Sequence, residues 1–322
     1  MGHAAFQLVR AITLTDTTGS SRSSPAPPST ALSRFLGPAA TATASPSRIL
    51  CCTQWRSSIL IGCSDGALLE YRPAGSSAAT DQSAASAPRV AAGNGGYSLF
   101  ARRDGFAPSA ILRLEVAALP TSAAADSSAT PAASAASAAS GAAGVLIALA
   151  DCVRLAALPT LEPLTCLPRT AGATSLAWDA EGGVLCVAIK RRVLVLRFDG
   201  RSTFKEEREF TCPDAPRLLA LPSPTTLCAA TPTKYLLHHI PPPGTAGSGG
   251  SWRDMLPCGQ VAPPSVVKLP RGEMLVGKDS IGLFLDASGR PLRSHGINWS
   301  RPPSHVAVMP PYALAKLPNY IE

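Results

Sequence analysis

A glycine-bounded segment near the carboxyl end of the chain has almost the spacing of a nucleotide-binding loop. Residues 272–279 read GEMLVGKD, with Gly272, Gly277 and Lys278 at the positions that a phosphate loop requires. Such a loop needs small residues that expose backbone N–H groups to phosphate, followed by a hydroxyl side chain for magnesium. Here the spacer is apolar and strand-forming, and Asp279 occupies the hydroxyl position. The segment therefore favours a β-hairpin over a nucleotide site.

Two other clusters contain side chains that catalysis or metal binding could use. His238 and His239 are adjacent in an apolar run, so in a strand they would point to opposite faces and could not share one metal. Glu206, Glu207 and Glu209 could do acid–base work only with a pocket and a positioned partner, and their charged neighbours favour a solvated strand face. The sequence predicts no catalytic, cofactor-binding or metal-binding residues, and hence no enzyme.

The cysteines give no sign of a disulfide framework or a zinc site. Their number is odd, no CxxC pair is present, and most of their neighbours are apolar. We expect buried free thiols in a reducing compartment. They are Cys51, Cys52, Cys63, Cys152, Cys166, Cys186, Cys212, Cys228 and Cys258.

Charge and hydropathy exclude several classes of protein. The net charge of +8 is scattered along the 322 residues, with its densest group at Lys190, Arg191 and Arg192. This favours weak attraction to an anionic membrane surface. A nucleic-acid site is not expected, because no basic run is interleaved with stacking aromatic residues. No apolar run reaches the length of about 18 residues that a transmembrane helix needs.

Four stretches are low in complexity and rich in Ala, Ser, Pro or Gly. They cover residues 17–47, 75–96, 122–143 and 241–250. Small residues bury too little surface to offset their ordering entropy, so we predict disordered insertions. The first stretch has the composition of a transit peptide, but the apolar segment 6–14 precedes it and predicts a strand, which favours an insertion.

Between these stretches the chain reads as short strands separated by turn residues. Strands are predicted at 48–55, 59–63, 67–72, 145–151, 184–190, 192–200, 226–231, 234–240, 273–279 and 281–289. Several are apolar throughout, as expected of strands that are buried on both faces. Trp55, Trp178 and Trp299 lie at similar positions beside strand ends, which favours core packing over ligand contact.

A pair of strands joined by a tight turn recurs along the chain. The spacing is roughly 40 residues once insertions are discounted, as in propeller blades of four short strands. We predict one all-β domain over residues 1–322. It would be a propeller of the seven-bladed type with about six blades present and a truncation at the carboxyl end. The recurring pairs begin near Ile59, Val145, Val184, Thr226, Glu273 and Tyr312.

Three segments resemble citron-homology (CNH) domains. Residues 47–72 contain an IG..DG.L..Y hairpin, residues 172–221 contain LCVAIKRRVLVLRFDG followed by CPDAPRLLAL, and residues 272–322 contain an Asn-Trp pair and a PPY turn. The combination is similar to the branch containing the vacuolar tether subunits of the HOPS and CORVET complexes and the TGF-β receptor-associated protein. Residues 3–14 resemble the opening strand of that branch.

The resemblance implies a non-catalytic protein-interaction domain that acts in membrane tethering and fusion. Its expected partners are other tether subunits and a Rab-type small GTPase. Its expected location is the cytoplasmic surface of late endosomes or the vacuole, as a peripheral protein. The long solenoid and terminal zinc module of that family do not appear in the chain. Two alternatives stay open, namely a CNH regulatory module of a small-GTPase signalling protein and a propeller hydrolase.

Overall fold

The structure is a computed structural model that describes residues 47–73, 97–118, 144–200, 203–242, 244–245, 250–309 and 312–322. Its regular elements are strands, apart from a single 3-10 turn at Pro270–Gly272.

The strands form five four-stranded sheets and one two-stranded sheet. Sheet 1 contains β1 (Ile49–Trp55), β2 (Ser58–Cys63), β3 (Leu68–Pro73) and β4 (Tyr97–Arg103). Sheet 2 contains β5 (Arg113–Ala118), β6 (Gly144–Leu149), β7 (Val153–Leu158) and β8 (Pro163–Cys166). Sheet 3 contains β9 (Ser175–Asp179), β10 (Val184–Ile189), β11 (Arg192–Phe198) and β12 (Phe204–Thr211). Sheet 4 contains β13 (Leu218–Ser223), β14 (Thr226–Ala230), β15 (Lys234–His239) and β16 (Arg253–Pro257). Sheet 5 contains β17 (Ser265–Lys268), β18 (Met274–Lys278), β19 (Ile281–Leu285) and β20 (Ile297–Asn298). Sheet 6 contains β21 (His305–Met309) and β22 (Tyr312–Lys316).

Every sheet is an antiparallel meander in which consecutive strands are hydrogen-bonded neighbours. In sheet 6 a further turn follows β22, because the Leu317 N–H donates to Tyr320 O at 2.9 Å. Ala315 and Glu322 then exchange backbone hydrogen bonds of 2.8 and 3.0 Å. The last residues therefore extend sheet 6 in the same meander order as the other sheets.

The second strand of each sheet explains the recurrence in the sequence. The six predicted repeat starts coincide, within one residue, with the starts of β2, β6, β10, β14, β18 and β22. In sheets 2 to 5 the second strand has a strand on each side and a sheet packed on each face, so it carries the strongest apolar signal. In β6 and β10 every residue is buried.

Neighbouring sheets pack face to face, and their first strands contact one another in succession from β1 through β5, β9, β13 and β17 to β21. The interface between sheets 2 and 3 includes Ile147, Leu155, Leu185 and Leu194, all at most 1 % exposed. Similar apolar clusters lie at the four other interfaces between consecutive sheets. This arrangement is a β-propeller, and the predicted fold class is confirmed. Among the described residues, the six predicted units are five four-stranded blades and one two-stranded sheet.

Side-chain hydrogen bonds to the backbone join successive blades. Trp178 Nε1 donates to Val116 O at 3.1 Å, and Trp252 Nε1 donates to Thr211 O at 2.8 Å. Trp55 and Trp178 pack against the apolar clusters of their interfaces, and Trp299 is 5 % exposed within the cluster between sheets 5 and 6. The core role predicted for these three tryptophans is confirmed.

The predicted insertions at 17–47, 75–96 and 122–143 and the predicted strand at 6–14 lie outside the described residues, except for Ser47. Residues 241–250 are described only in part, and their described positions are outside the strands. The predicted strands between 48 and 289 are confirmed with small changes of boundary.

Candidate functional site

The strands of each sheet are connected at their two ends, and these ends form two opposite surfaces of the propeller, which we call its edges. The connections between first and second strands and between third and fourth strands lie at one edge. The connections between second and third strands, and from a fourth strand to the next sheet, lie at the opposite edge, which we call the turn edge. The sequence stretches 75–96, 122–143 and 241–250 all fall between first and second or third and fourth strands. Among the described residues, the connections between strands at the turn edge are short. The residues before Ser47, which lead into β1 at this edge, lie outside the described ranges.

Side-chain oxygens fix the connections of the turn edge. Asp65 Oδ1 accepts a hydrogen bond from the Ala67 N–H at 3.1 Å between β2 and β3, which is the Asx geometry that favours a tight turn. Asp279 Oδ1 accepts from the Val261 N–H at 2.8 Å and so ties the turn between β18 and β19 to the loop that enters sheet 5. Backbone hydrogen bonds hold the pKa of the Asp279 carboxyl below its usual value. These turns form a fixed surface.

A basic cluster lies on the turn edge where blades 3 and 4 meet. Lys190 and Arg191 form the turn between β10 and β11, and both are exposed. Arg191 Nε donates to Cys212 O at 3.2 Å, at the start of the loop that contains the exposed Arg217. Over the described ranges, no carboxylate forms an ion pair with Lys190, Arg191 or Arg217. We call these three residues the basic cluster.

The acidic residues of β12 do not neutralise this cluster, because they are paired with other arginines. Glu206 and Glu209 both form ion pairs with Arg169, and Glu207 Oε2 lies 3.0 Å from Arg197 Nε. The carboxylates thus lie on a partly solvated strand, as predicted. Glu206 and Glu209 tie β12 to the connection between blades 2 and 3, whereas Glu207 pairs within blade 3. Guanidinium and ammonium groups without a carboxylate favour contact with acidic side chains or phosphate.

Sheets 5 and 6 enclose a groove of about 820 Å³. Its lining is mixed and includes the apolar residues Leu275, Phe284 and Val308. Arg293 places its guanidinium 3.9 Å from the centre of the Phe284 ring. The segment 272–279 lies beside this groove as β18, in agreement with the predicted hairpin. Its apolar residues Met274 to Val276 are buried, and their backbone groups pair within sheet 5, so they do not form a phosphate-binding loop.

The two histidines point to opposite faces of β15, as the alternation predicted. His238 is 3 % exposed, and its ring lies 4.1 Å from that of Phe210 and 4.7 Å from that of Trp252, centre to centre. Burial, and then the neighbouring His239, lower the pKa of His238 to about 4. His238 is therefore a neutral core side chain at neutral pH.

Most of the cysteines are buried, as predicted, but Cys52 and Cys166 are exposed and Cys51 is half-buried. The part of the chain that the structure describes contains no group of three or more His, Cys, Asp or Glu side chains placed to hold a metal ion. It also contains no helix that is long and apolar enough to cross a membrane. Sequence reasoning identified Lys190 and Arg191 by their density of charge, but it missed Arg217, which only the packing of blades 3 and 4 brings to the same edge.

The sheet order and the inter-sheet packing thus define an all-β propeller domain. The family model described as "CNH domain" matches residues 145–322, more than half of the chain. The chain belongs to the CNH domain family, and the resemblance noted in the sequence is confirmed.

Curated relatives are named for vacuolar sorting. The chain is 29% identical over 277 residues to Vacuolar sorting protein 39 of Arabidopsis thaliana, an alignment that covers 86% of this chain and 24% of that protein. It is 26% identical over 172 residues to human Vam6/Vps39-like protein, covering 51% and 19%. It is 28% identical over 181 residues to bovine Transforming growth factor-beta receptor-associated protein 1, covering 53% and 20%. The chain spans about a quarter or less of the length of these relatives.

Among solved structures, the AfRom2 CNH domain overlays with a TM-score of 0.49 and 14% identity, covering 86% of this chain and 81% of that one.

Proposed function

We propose that this chain is the non-catalytic interaction domain of a tethering subunit that acts in traffic to the vacuole. The alignment with Vacuolar sorting protein 39 carries the proposal, because it extends over 86% of the chain rather than over the matched CNH segment alone. The other two relatives support the same class of function through their shared similarity. On this proposal, the domain docks other subunits of a HOPS- or CORVET-type complex and a Rab-type small GTPase.

The distribution of apolar surface supports a docking role at the edges of the blades. The described sheet faces between consecutive blades are occupied by apolar clusters and are already committed to inter-blade packing. Exposed connections are left to contact a partner, and on the turn edge they are short and fixed by hydrogen bonds. A preorganised surface loses little entropy on binding.

The basic cluster determines which chemistry such a surface prefers. Lys190, Arg191 and Arg217 would attract an acidic protein surface or an anionic membrane, and salt would weaken that attraction. Peripheral association with the membrane of a late endosome or vacuole is part of the proposal, with the cluster as the contact surface.

The test is binding of the purified full chain to isolated vacuolar membranes that carry their resident tether subunits and GTPases. We expect the wild-type protein to cosediment with these membranes more strongly at low than at high salt. The double variant Lys190→Glu/Arg217→Glu should bind at least about tenfold more weakly, because two attractive charges become repulsive. Neither side chain has a described hydrogen bond, so the fold should be retained.

The matched control is Lys205→Glu/Arg290→Glu, which makes the same change of charge at the opposite edge. Both of these residues are exposed. If the two double variants lose binding equally, the turn edge is not the contact surface. If the folded wild-type protein does not bind vacuolar membranes at all, the proposed function is wrong.

A further inference from the structure

Two cysteines of blade 2 are near neighbours, one in the turn that precedes β7 and one at the end of β8. Cys166 ends the exposed edge strand β8, and it is paired in register with Arg154 of β7. Cys152 lies in the turn between β6 and β7, two residues before Arg154, so the pairing of Arg154 with Cys166 brings this turn next to the end of β8. A backbone hydrogen bond joins the residues that follow the two cysteines, since the Leu167 N–H donates to Val153 O at 2.8 Å.

The surroundings of the two thiols differ in a way that suits stepwise oxidation. Cys166 is exposed, whereas Cys152 is 8 % exposed. Burial, and then direct contact with the Cys166 thiol, raise the pKa of Cys152 to about 12. The Arg154 guanidinium is held at 3.1 and 3.2 Å by the two carboxylate oxygens of Asp151. The Asp151 charge adds to the rise in the pKa of Cys152, and the Arg154 charge opposes it by less.

We propose that Cys152 and Cys166 form a reversible disulfide on reaction with a low-molecular-weight disulfide such as glutathione disulfide. The exposed Cys166 thiolate attacks one sulfur of glutathione disulfide, and the other glutathione leaves as its thiolate. Cys152 then loses its proton to solvent and attacks the Cys166 sulfur, so that the second glutathione leaves. Both protein thiols are oxidised, and one glutathione disulfide is reduced to two molecules of glutathione.

The disulfide would change the mobility of the outer strand of blade 2. All four residues of β8 are exposed, and the strand has a neighbour on one side only. A covalent link between Cys166 and the turn before β7 would hold this strand against the blade. We therefore expect slower amide hydrogen exchange over residues 163–166 in the oxidised protein.

Trypsin offers a direct assay, because Arg154 separates the two cysteines. Cleavage gives the peptides 114–154 and 155–169, each of which contains one cysteine. The purified full chain is equilibrated in glutathione buffers of graded ratio, quenched with acid, alkylated and digested. In the wild-type protein we expect the linked pair of peptides to exceed the Cys166–glutathione mixed disulfide by about tenfold, and dithiothreitol should reverse the link.

Three variants separate the proposal from general thiol reactivity. Cys152→Ser should stop at the mixed disulfide on Cys166. Cys166→Ser changes an exposed residue and should leave Cys152 reduced. This variant keeps the test valid even if Cys152→Ser, which changes a buried residue, impairs folding. Cys52→Ser removes the other exposed thiol and should leave the linked peptides unchanged. Wild-type protein that accumulates as much mixed disulfide as Cys152→Ser, or that yields no linked peptides at any glutathione ratio, would overturn the proposal.

Discussion

We expect the stability of the fold to depend on an ion pair that spans a blade. Asp179 at the end of β9 has a fully buried side chain, and it accepts a hydrogen bond from the Gly182 N–H at 2.7 Å. Its second partner is Lys268 at the end of β17, so the pair joins blade 3 to blade 5 past the first strand of blade 4. Replacing Lys268 leaves the carboxylate buried with a single donor.

The magnitude follows from the exposure of the two side chains. Removing one partner of a fully buried ion pair costs about 3–5 kcal/mol. The Lys268 side chain is 37% exposed, so water would replace part of the lost interaction. We expect Lys268→Met to lower the free energy of unfolding by about 2 kcal/mol. For a domain of this size that is a fall in Tm of about 4 °C.

Urea unfolding followed by tryptophan fluorescence measures the effect. The matched control is Lys234→Met, because Lys234 pairs with Asp254 while both side chains are solvated, at 36% and 68% exposure. Its cost should be below about 1 kcal/mol. In a double-mutant cycle, Asp179→Asn combined with Lys268→Met should recover part of the loss, since no unpaired charge remains buried. Equal costs for Lys268→Met and Lys234→Met would refute this reasoning.

Two further predictions concern buried polar groups of blade 4. The Tyr235 hydroxyl donates to Gly277 O at 2.6 Å and accepts from the Ser265 N–H at 3.1 Å, so Tyr235→Phe should cost about 1–2 kcal/mol in urea unfolding; a cost near zero would show that water satisfies both groups. Since the pKa of His238 is about 4 in the folded protein, against 6.5 in the unfolded chain, the unfolded state binds the proton first as the pH falls. The free energy of unfolding should therefore drop by roughly 2 kcal/mol between pH 7.5 and pH 5. His238→Leu should remove this pH dependence, whereas His239→Gln should keep it.

The sequence predicted the strands that lie inside a blade better than those at its periphery. Apart from their charged last residues, the runs at 145–151 and 184–190 are apolar, as expected of strands buried on both faces, and this pattern needs no tertiary information. By contrast, β8 and β16 have no buried residue, and β20 has only two residues. Such strands are defined by the neighbour they pair with, so local sequence carries little signal for them.

The basic cluster, too, could be predicted from the sequence only in part. Lys190 and Arg191 stand together in the chain and could be singled out as a basic pair. Arg217 shares their edge because the loop between blades 3 and 4, which begins where Arg191 donates to Cys212 O, runs along that edge. Similarly, nothing in the spacing of Cys152 and Cys166 indicated that they are neighbours, because the pairing of β7 with β8 brings the two positions near one another.

The sequence by itself determined the all-β class, the repeat of roughly 40 residues and the family. Those properties follow from local alternation, turn residues and motif spacing, which are written along the chain. Only the tertiary structure decided how many blades are four-stranded, which edge holds the short turns, and which charges lie together. Those properties depend on strand register and on contacts between blades, and both are set by the packing of residues that are distant in sequence.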